Sequence, residues 1–210
     1  KYTVTFCGLD RVTLEQSENI TPSGWTGLTV DYSTVSPGTE LFCIREGKQV
    51  QPGDIFTGHD ETGQAYFVFP SMNESSAAHT NYKAVGPDSL LLPLPGDLPL
   101  QYAGFLRFLN IGLHPYFHPL ELPLEVAVIG LGPVGNLAAQ AGRLLGCQVT
   151  GVDPSPYRRE LAQACGIPAI TPQELAQKKQ QFELVIDTVA SSQTLSAAAE
   201  ALQVVGRARP

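Results

Sequence analysis

Three glycines at fixed spacing, Gly130-Leu131-Gly132-Pro133-Val134-Gly135, carry the clearest chemical signal in this chain of 210 residues. Glycine at the first position permits a tight turn. At the second it lets a phosphate approach the backbone, and at the third it lets a helix pack closely on a strand. A helix that starts there presents unpaired N–H groups and a partial positive charge, which together hold an anion. The pattern alone is weak, because glycines also turn chains that bind nothing. Its surroundings make it specific. The apolar run 124–129 precedes it, a helical pattern follows at once, and the next apolar run ends on Asp153.

Asp153 lies 18 residues beyond Gly135, near the spacing of about 20 for an acid that binds the ribose of a dinucleotide. Its carboxylate can accept bonds from both ribose hydroxyls and repels a 2′-phosphate, so the reading is NAD in preference to NADP. Arg158 and Arg159 follow closely, and either would soften that preference. Pro133 and Val134 at the helix start, Arg158, and Thr188-Val189 after a later strand complete the expected cofactor set with Gly130, Gly132, Gly135 and Asp153. A methyltransferase usually has an acid just before the glycines and a looser turn. Here Val128-Ile129 precede them, and Pro133 sits at the helix start.

These residues need a scaffold, and the second half reads as a strict strand–helix alternation. Strands are expected at 124–129, 148–153, 167–170 and 182–187, and helices at 133–145 and 156–164, with another from Ser192. Gly146 and Gly166 are the stops. Thr171-Pro172-Gln173-Glu174 has the form of a capping box, and Ser191-Ser192 that of a helix cap. Such alternation implies a Rossmann-type parallel sheet with helices on both faces. The first half has another grammar. Short strands at 2–6, 27–32 and 64–69 are broken by Pro- and Gly-rich turns, as in a small irregular β domain. From Leu100 the residues Leu100, Ala103, Leu106 and Ile111, with Phe105, Phe108 and Leu109 between, form the apolar face of one helix, ended by 114–119. The expected class is therefore α/β: an N-terminal β domain (1–99), a connecting helix and linker (100–121), and a partial Rossmann domain (122–210).

A net charge of −7 argues against nucleic acid, since binding phosphates needs clustered Lys and Arg. No apolar run of about 18 residues crosses a membrane. Cys7, Cys43, Cys147 and Cys165 are scattered and read as small buried thiols in a reducing compartment, which predicts a cytoplasmic protein. His79, His114 and His118 read as surface or turn residues. Trp25, Phe105, Phe108, Tyr116 and Phe117 line an apolar cleft or fill a core.

The stretch Val126–Gly135, with Gly151-Val152-Asp153-Pro154 and Arg158–Ala162, resembles the medium-chain dehydrogenase/reductase superfamily, the alcohol-dehydrogenase-like group. In the first half, Ser33–Leu41 is similar to that family's Cys-Gly-Thr-Asp-like element, and Gly53-Asp54-Ile55-Phe56 to its Gly-Asp-Arg-Val element. Tyr102–Leu113 is similar to the helix leading into the cofactor domain. The version Ser36-Pro37-Gly38-Thr39-Glu40 resembles a zinc-free branch that includes enzymes similar to bacteriochlorophyllide dehydrogenase. The resemblance implies a GroES-like β domain and a nicotinamide-dependent oxidoreductase acting on a small-molecule carbonyl or alcohol. Thr39 takes the place of the family's proton-relay hydroxyl, or else it caps its loop; Glu40 contacts substrate or caps the next segment.

Two departures qualify the resemblance. Pro37 stands where zinc-dependent members have a cysteine ligand, and no four-cysteine lobe exists, so no zinc is expected. His59, in Gly58-His59-Asp60-Glu61, is similar to the zinc element Gly-His-Glu but follows Gly53-Asp54 instead of preceding it. The chain is also short: it supplies four of the family's six cofactor-domain strands. An unfinished sheet exposes an edge, which predicts a homo-oligomer or a covering partner. A non-catalytic nucleotide-binding subunit or sensor, and a structural partner that binds nothing, are the other functional readings.

Overall fold

The computed structural model describes residues 1–7, 11–35, 40–41, 44–45, 49–50, 53, 55–71, 77–119 and 121–203. The chain divides into two units, Lys1–Arg107 and Phe108–Pro210. Among the described residues no helix is long and apolar enough to cross a membrane.

The first unit is built from two antiparallel sheets. One has the order β2-β1-β4, from β1 (Tyr2–Cys7), β2 (Val12–Gln16) and β4 (Gln49–Val50). The other has the order β7-β3-β5-β6-β8, from β3 (Thr26–Ser33), β5 (Phe56–His59), β6 (Ala65–Phe69), β7 (Tyr82–Val85) and β8 (Leu90–Pro93). A bridge between Thr3 and Thr80 ties the first sheet to the entry of β7. Leu28, Phe56, Val68, Ala78 and Val85 make the core of the larger sheet. The expected strands at 2–6, 27–32 and 64–69 are β1, β3 and β6; the sequence reading missed the others.

The helix expected from Leu100 is two helices, α1 (Leu100–Ala103) and α2 (Leu106–Leu113). Gly104 lies at the break, packed so closely on Thr34 that a Cβ there would meet its Oγ1. The break rotates the pattern: Ala103, Phe108 and Gly112 are buried, whereas Phe105 and Ile111 are exposed. Residues His114–Phe117, expected only to end the helix, wind on as a 3₁₀ turn. That turn buries Tyr116, whose hydroxyl donates to the Ala138 carbonyl at 3.0 Å. Burial pushes the Tyr116 phenol up from its ordinary range.

The second unit follows the expected alternation. Its parallel sheet has the order β11-β10-β9-β12, from β9 (Glu125–Ile129), β10 (Gln148–Val152), β11 (Ala169–Ile170) and β12 (Leu184–Asp187). Helices α3 (Pro133–Leu144) and α4 (Pro156–Ala164) supply Ala138, Ala139 and Ala162 to an apolar cluster with Val126, Val128 and Ile186. Helices α5 (Pro172–Leu175) and α6 (Ser192–Ala201) supply Leu175 and Ala201 to a second cluster with Ala127, Ile129 and Val152. Alternate residues of β9 enter different clusters, which is the signature of a strand buried on both faces. Of the cysteines expected to be buried, Cys147 is buried, Cys7 half-buried and Cys165 exposed at the end of α4; Cys43 lies outside the described residues.

Candidate cofactor site

The central strand β9 ends where the sheet changes direction. From β9 the chain steps through α3 to β10 on one side, and later returns to place β12 on the other. This is the topological switch point at which open α/β sheets bind ligands.

Each glycine of the loop has a physical reason. Gly130 turns the chain with φ +87°, and its N–H donates to the Val152 carbonyl at 2.8 Å. A Cβ on it would stand 2.6 Å from Thr188 Oγ1 and 2.7 Å from Val189 Cγ2. Gly135 has a harder limit, because its Cβ would lie 1.7 Å from the Gly130 carbonyl oxygen. Gly132 is the opposite case, with nothing within 4 Å of an added Cβ. It is also the N-cap of α3, and no side chain caps that helix. The first turn of α3 therefore has no side-chain acceptor at its cap, and open space lies beside its bare N-cap backbone, which is the arrangement an anionic group fits.

Thr188 closes the loop from β12: its hydroxyl donates to the carbonyls of Ile129 and Gly130, each at 3.0 Å. Asp187 accepts from the N–H groups of Val189 and Ala190 at 2.9 and 3.1 Å, holding the turn after β12. Val189 is exposed there.

Asp153 is placed beside the loop but faces inward. It is 1% exposed; Oδ2 accepts from the Leu131 N–H and Oδ1 from the Ser155 N–H, both at 2.8 Å. Arg158 Nη1 lies 3.5 Å from Oδ2, and its side chain is 53% exposed. The carboxylate thus joins loop to strand end, with the guanidinium over it. Pro133 is exposed and Val134 half-buried at the start of α3. Gly130, Gly132, Pro133, Val134, Gly135, Asp153, Arg158, Thr188 and Val189 all follow the carboxyl ends of β9, β10 and β12.

Residues 133–208 match the family described as zinc-binding dehydrogenase. Probable cinnamyl alcohol dehydrogenase 6 of Oryza sativa subsp. japonica is 30% identical over 135 residues, 62% of this chain and 37% of that protein. Cinnamyl alcohol dehydrogenase 7 of Arabidopsis thaliana is 25% identical over 231 residues, 93% of this chain and 62% of that protein. Galactitol-1-phosphate dehydrogenase from Escherichia coli has the same fold, with a TM-score of 0.81 at 19% identity over 97% of this chain and 72% of that one. These matches support a likeness to the medium-chain dehydrogenase/reductase superfamily. The chain spans between 37% and 62% of the length of the two plant relatives.

Thr39, the expected relay hydroxyl, and Pro37 lie outside the described residues. His59 is at the end of β5, paired with Asp31 at 2.9 Å. An open groove of about 860 Å³ in this unit is lined by His59, Trp25, Asp60, Glu61 and Tyr82 among others, and it includes none of the glycine-loop residues. His114 and His118 are exposed and bonded to each other at 2.9 Å. Trp25 and Phe117 are exposed, whereas Phe108 is in the core. His79 departs from expectation: its side chain is only 11% exposed and contacts the buried Glu40. No spacing in the sequence signals that pair, since the partners are 39 residues apart.

Proposed function

We propose that this chain is part of an NAD(P)-dependent oxidoreductase that works on a carbonyl or alcohol without catalytic zinc and favours NAD over NADP. The observation that carries the reading is the bare start of α3. Gly132 leaves the helix uncapped and open, while Gly135 and Gly130 are fixed by contacts that no side chain tolerates. Bound there, a nicotinamide dinucleotide supplies hydride chemistry that no side chain has.

The chain's own residues bind and orient. The N–H groups at the α3 start hold the pyrophosphate, and Thr188 and Val189 wall the loop. Asp153 and Arg158 meet the adenosine ribose, whose hydroxyls take over the contact that Arg158 now makes with Asp153. A 2′-phosphate there would face the Asp153 charge, which favours NAD; the exposed Arg158 moderates the penalty. For zinc independence the support is the donor set. Proline at position 37 has no metal-binding side chain, and among the described residues no three His, Cys, Asp or Glu come together for a metal. Among the described residues β11 pairs on one side only, and we extend the proposal to a second copy or further chain covering that edge.

Thermal unfolding with NADH, NADPH or neither tests the reading, with Gly132→Asp as the control. NADH at a hundredfold excess over its dissociation constant should stabilise the wild type by about 2.7 kcal/mol, NADPH less, and the control not at all. A folded wild type that shifts with neither cofactor ends the proposal; a larger shift with NADPH ends the NAD preference alone.

A further inference from the structure

Two of the four histidines stand against each other on the surface of the second unit. Nε2 of His118 lies 2.9 Å from Nδ1 of His114, with the ring centroids 4.6 Å apart and the ring planes at 60°. Both residues are exposed. The bond between them uses one nitrogen of each ring. Among the described residues neither far nitrogen, Nε2 of His114 or Nδ1 of His118, has a protein partner. The other two histidines differ, because His59 and His79 each face a carboxylate, Asp31 at 2.9 Å and Glu40 at 3.2 Å.

The turn that carries the pair is anchored. Pro115 fixes its own φ, and the next residue, Tyr116, is buried and donates to the Ala138 carbonyl of α3 at 3.0 Å. A Cβ on Gly142 would collide with the Tyr116 ring and hydroxyl, so α3 is shaped to receive that side chain. His118 closes the turn in the right-handed helical region, with φ −86° and ψ −36°. The two imidazoles are therefore presented side by side from a turn whose middle is seated on a helix of the second unit.

We propose that His114 and His118 form a surface site for a divalent transition-metal ion, with Cu²⁺ the ion it holds most tightly. The spacing selects the geometry. Two nitrogens at about 2.0–2.1 Å from one ion stand about 2.9 Å apart at a right angle and about 3.3 Å apart at a tetrahedral one. The observed 2.9 Å matches the right angle. Imidazole suits copper, nickel and zinc; square-planar or tetragonal geometry is that of divalent copper and nickel, and copper binds the more tightly of the two. The ion takes the place of the hydrogen between the rings. That proton moves to the far nitrogen of its own ring, and the exposed rings turn to aim both facing lone pairs at the metal. Among the described residues no third His, Cys, Asp or Glu joins the pair, so water completes the coordination. The site is independent of the oxidoreductase reading, and so is its test.

The test titrates the full chain with Cu²⁺ alone, and separately with Ni²⁺, in a buffer that does not bind metal. Calorimetry should find one Cu²⁺ site tighter than any other on the chain. His114→Ala and His118→Ala should each weaken it about tenfold or more, while His59→Ala leaves it unchanged. Electron paramagnetic resonance of the one-to-one copper complex should be tetragonal, with coupling to two imidazole nitrogens that falls to one in either variant. Ni²⁺ should bind the same pair more weakly. Both histidines are exposed, so the variants should keep the wild-type fold, which circular dichroism checks. A Cu²⁺ affinity that neither substitution lowers, or a wild-type spectrum without two imidazole nitrogens, overturns the site. Tighter binding of Ni²⁺ than of Cu²⁺ overturns the assignment of the metal.

Discussion

Helices α3 and α5 start in the same unit, each with proline in its first turn, and they satisfy their free N–H groups in different ways. At α5 the Thr171 side chain accepts from the Glu174 N–H, and the Glu174 carboxylate accepts from the Thr171 N–H at 2.7 Å. Helix α6 does the same with Ser191 and Thr194. At α3 the cap is Gly132, which has no side chain and nothing near it. A helix start closed by a capping box has its N3 and N-cap donors already bound by side chains. One left bare, beside glycines that admit no substitution, keeps them free. Helix α4 also has no side-chain cap bond at Ser155, so what sets α3 apart is the glycine loop before it and the open space at Gly132.

The comparison can be broken at each end. The largest effect is expected from Gly135→Ala, whose Cβ would collide with the Gly130 carbonyl. Denaturant unfolding should show a loss of about 3 kcal/mol, and a loss below about 1 kcal/mol would mean that the loop relaxes and the glycine is not forced. Next come Thr171→Ala and Ser191→Ala, each costing about 1 kcal/mol by removing a cap. Neither should change NADH affinity, measured by fluorescence titration, and a change would mean that the closed starts are not independent of the open one.

A smaller effect of opposite sign is expected from Gly132→Asp without cofactor. A carboxylate at the bare N-cap should stabilise the apo protein by a few tenths of a kcal/mol; a destabilised apo variant would show that Gly132 is needed for the fold itself. The smallest effect concerns acid. Hydrogen bonds from the Thr171 N–H and hydroxyl hold the Glu174 carboxyl below its ordinary value of 4.5. Because the folded pKa is depressed, this stabilisation is complete above the unfolded value and disappears as pH falls through the folded one. Carboxyl NMR titration should find Glu174 below 4.5 in the wild type and higher in Thr171→Ala.

Much of the second unit was legible because its rules are local. Helix α4 spans the expected 156–164, the box at Thr171 and Glu174 forms, and Gly146 and Gly166 stop their helices with φ +95° and +76°. The first unit was harder to read. Strand β2 is largely exposed, and strand β5 carries Gly58 and is buried even at Thr57, so neither has the alternation that marks a half-buried strand. The single helix expected over Leu100–Leu113 failed for a related reason: its break at Gly104 is set by contact with Thr34, far away in sequence.

By itself the sequence determined the glycine spacing, the alternation of strand and helix, the caps and the acid after β10. These are properties of neighbours along the chain, where backbone geometry and side-chain period leave few choices. Only the tertiary structure decided that Asp153 turns inward onto the Leu131 N–H instead of facing solvent. It also decided that α3 alone of these three starts stays bare in open space, and that Ser33, Glu40 and His79 meet. Those outcomes depend on which distant segments pack together. A buried polar group must find its partner wherever the fold provides one, and no spacing records where that will be.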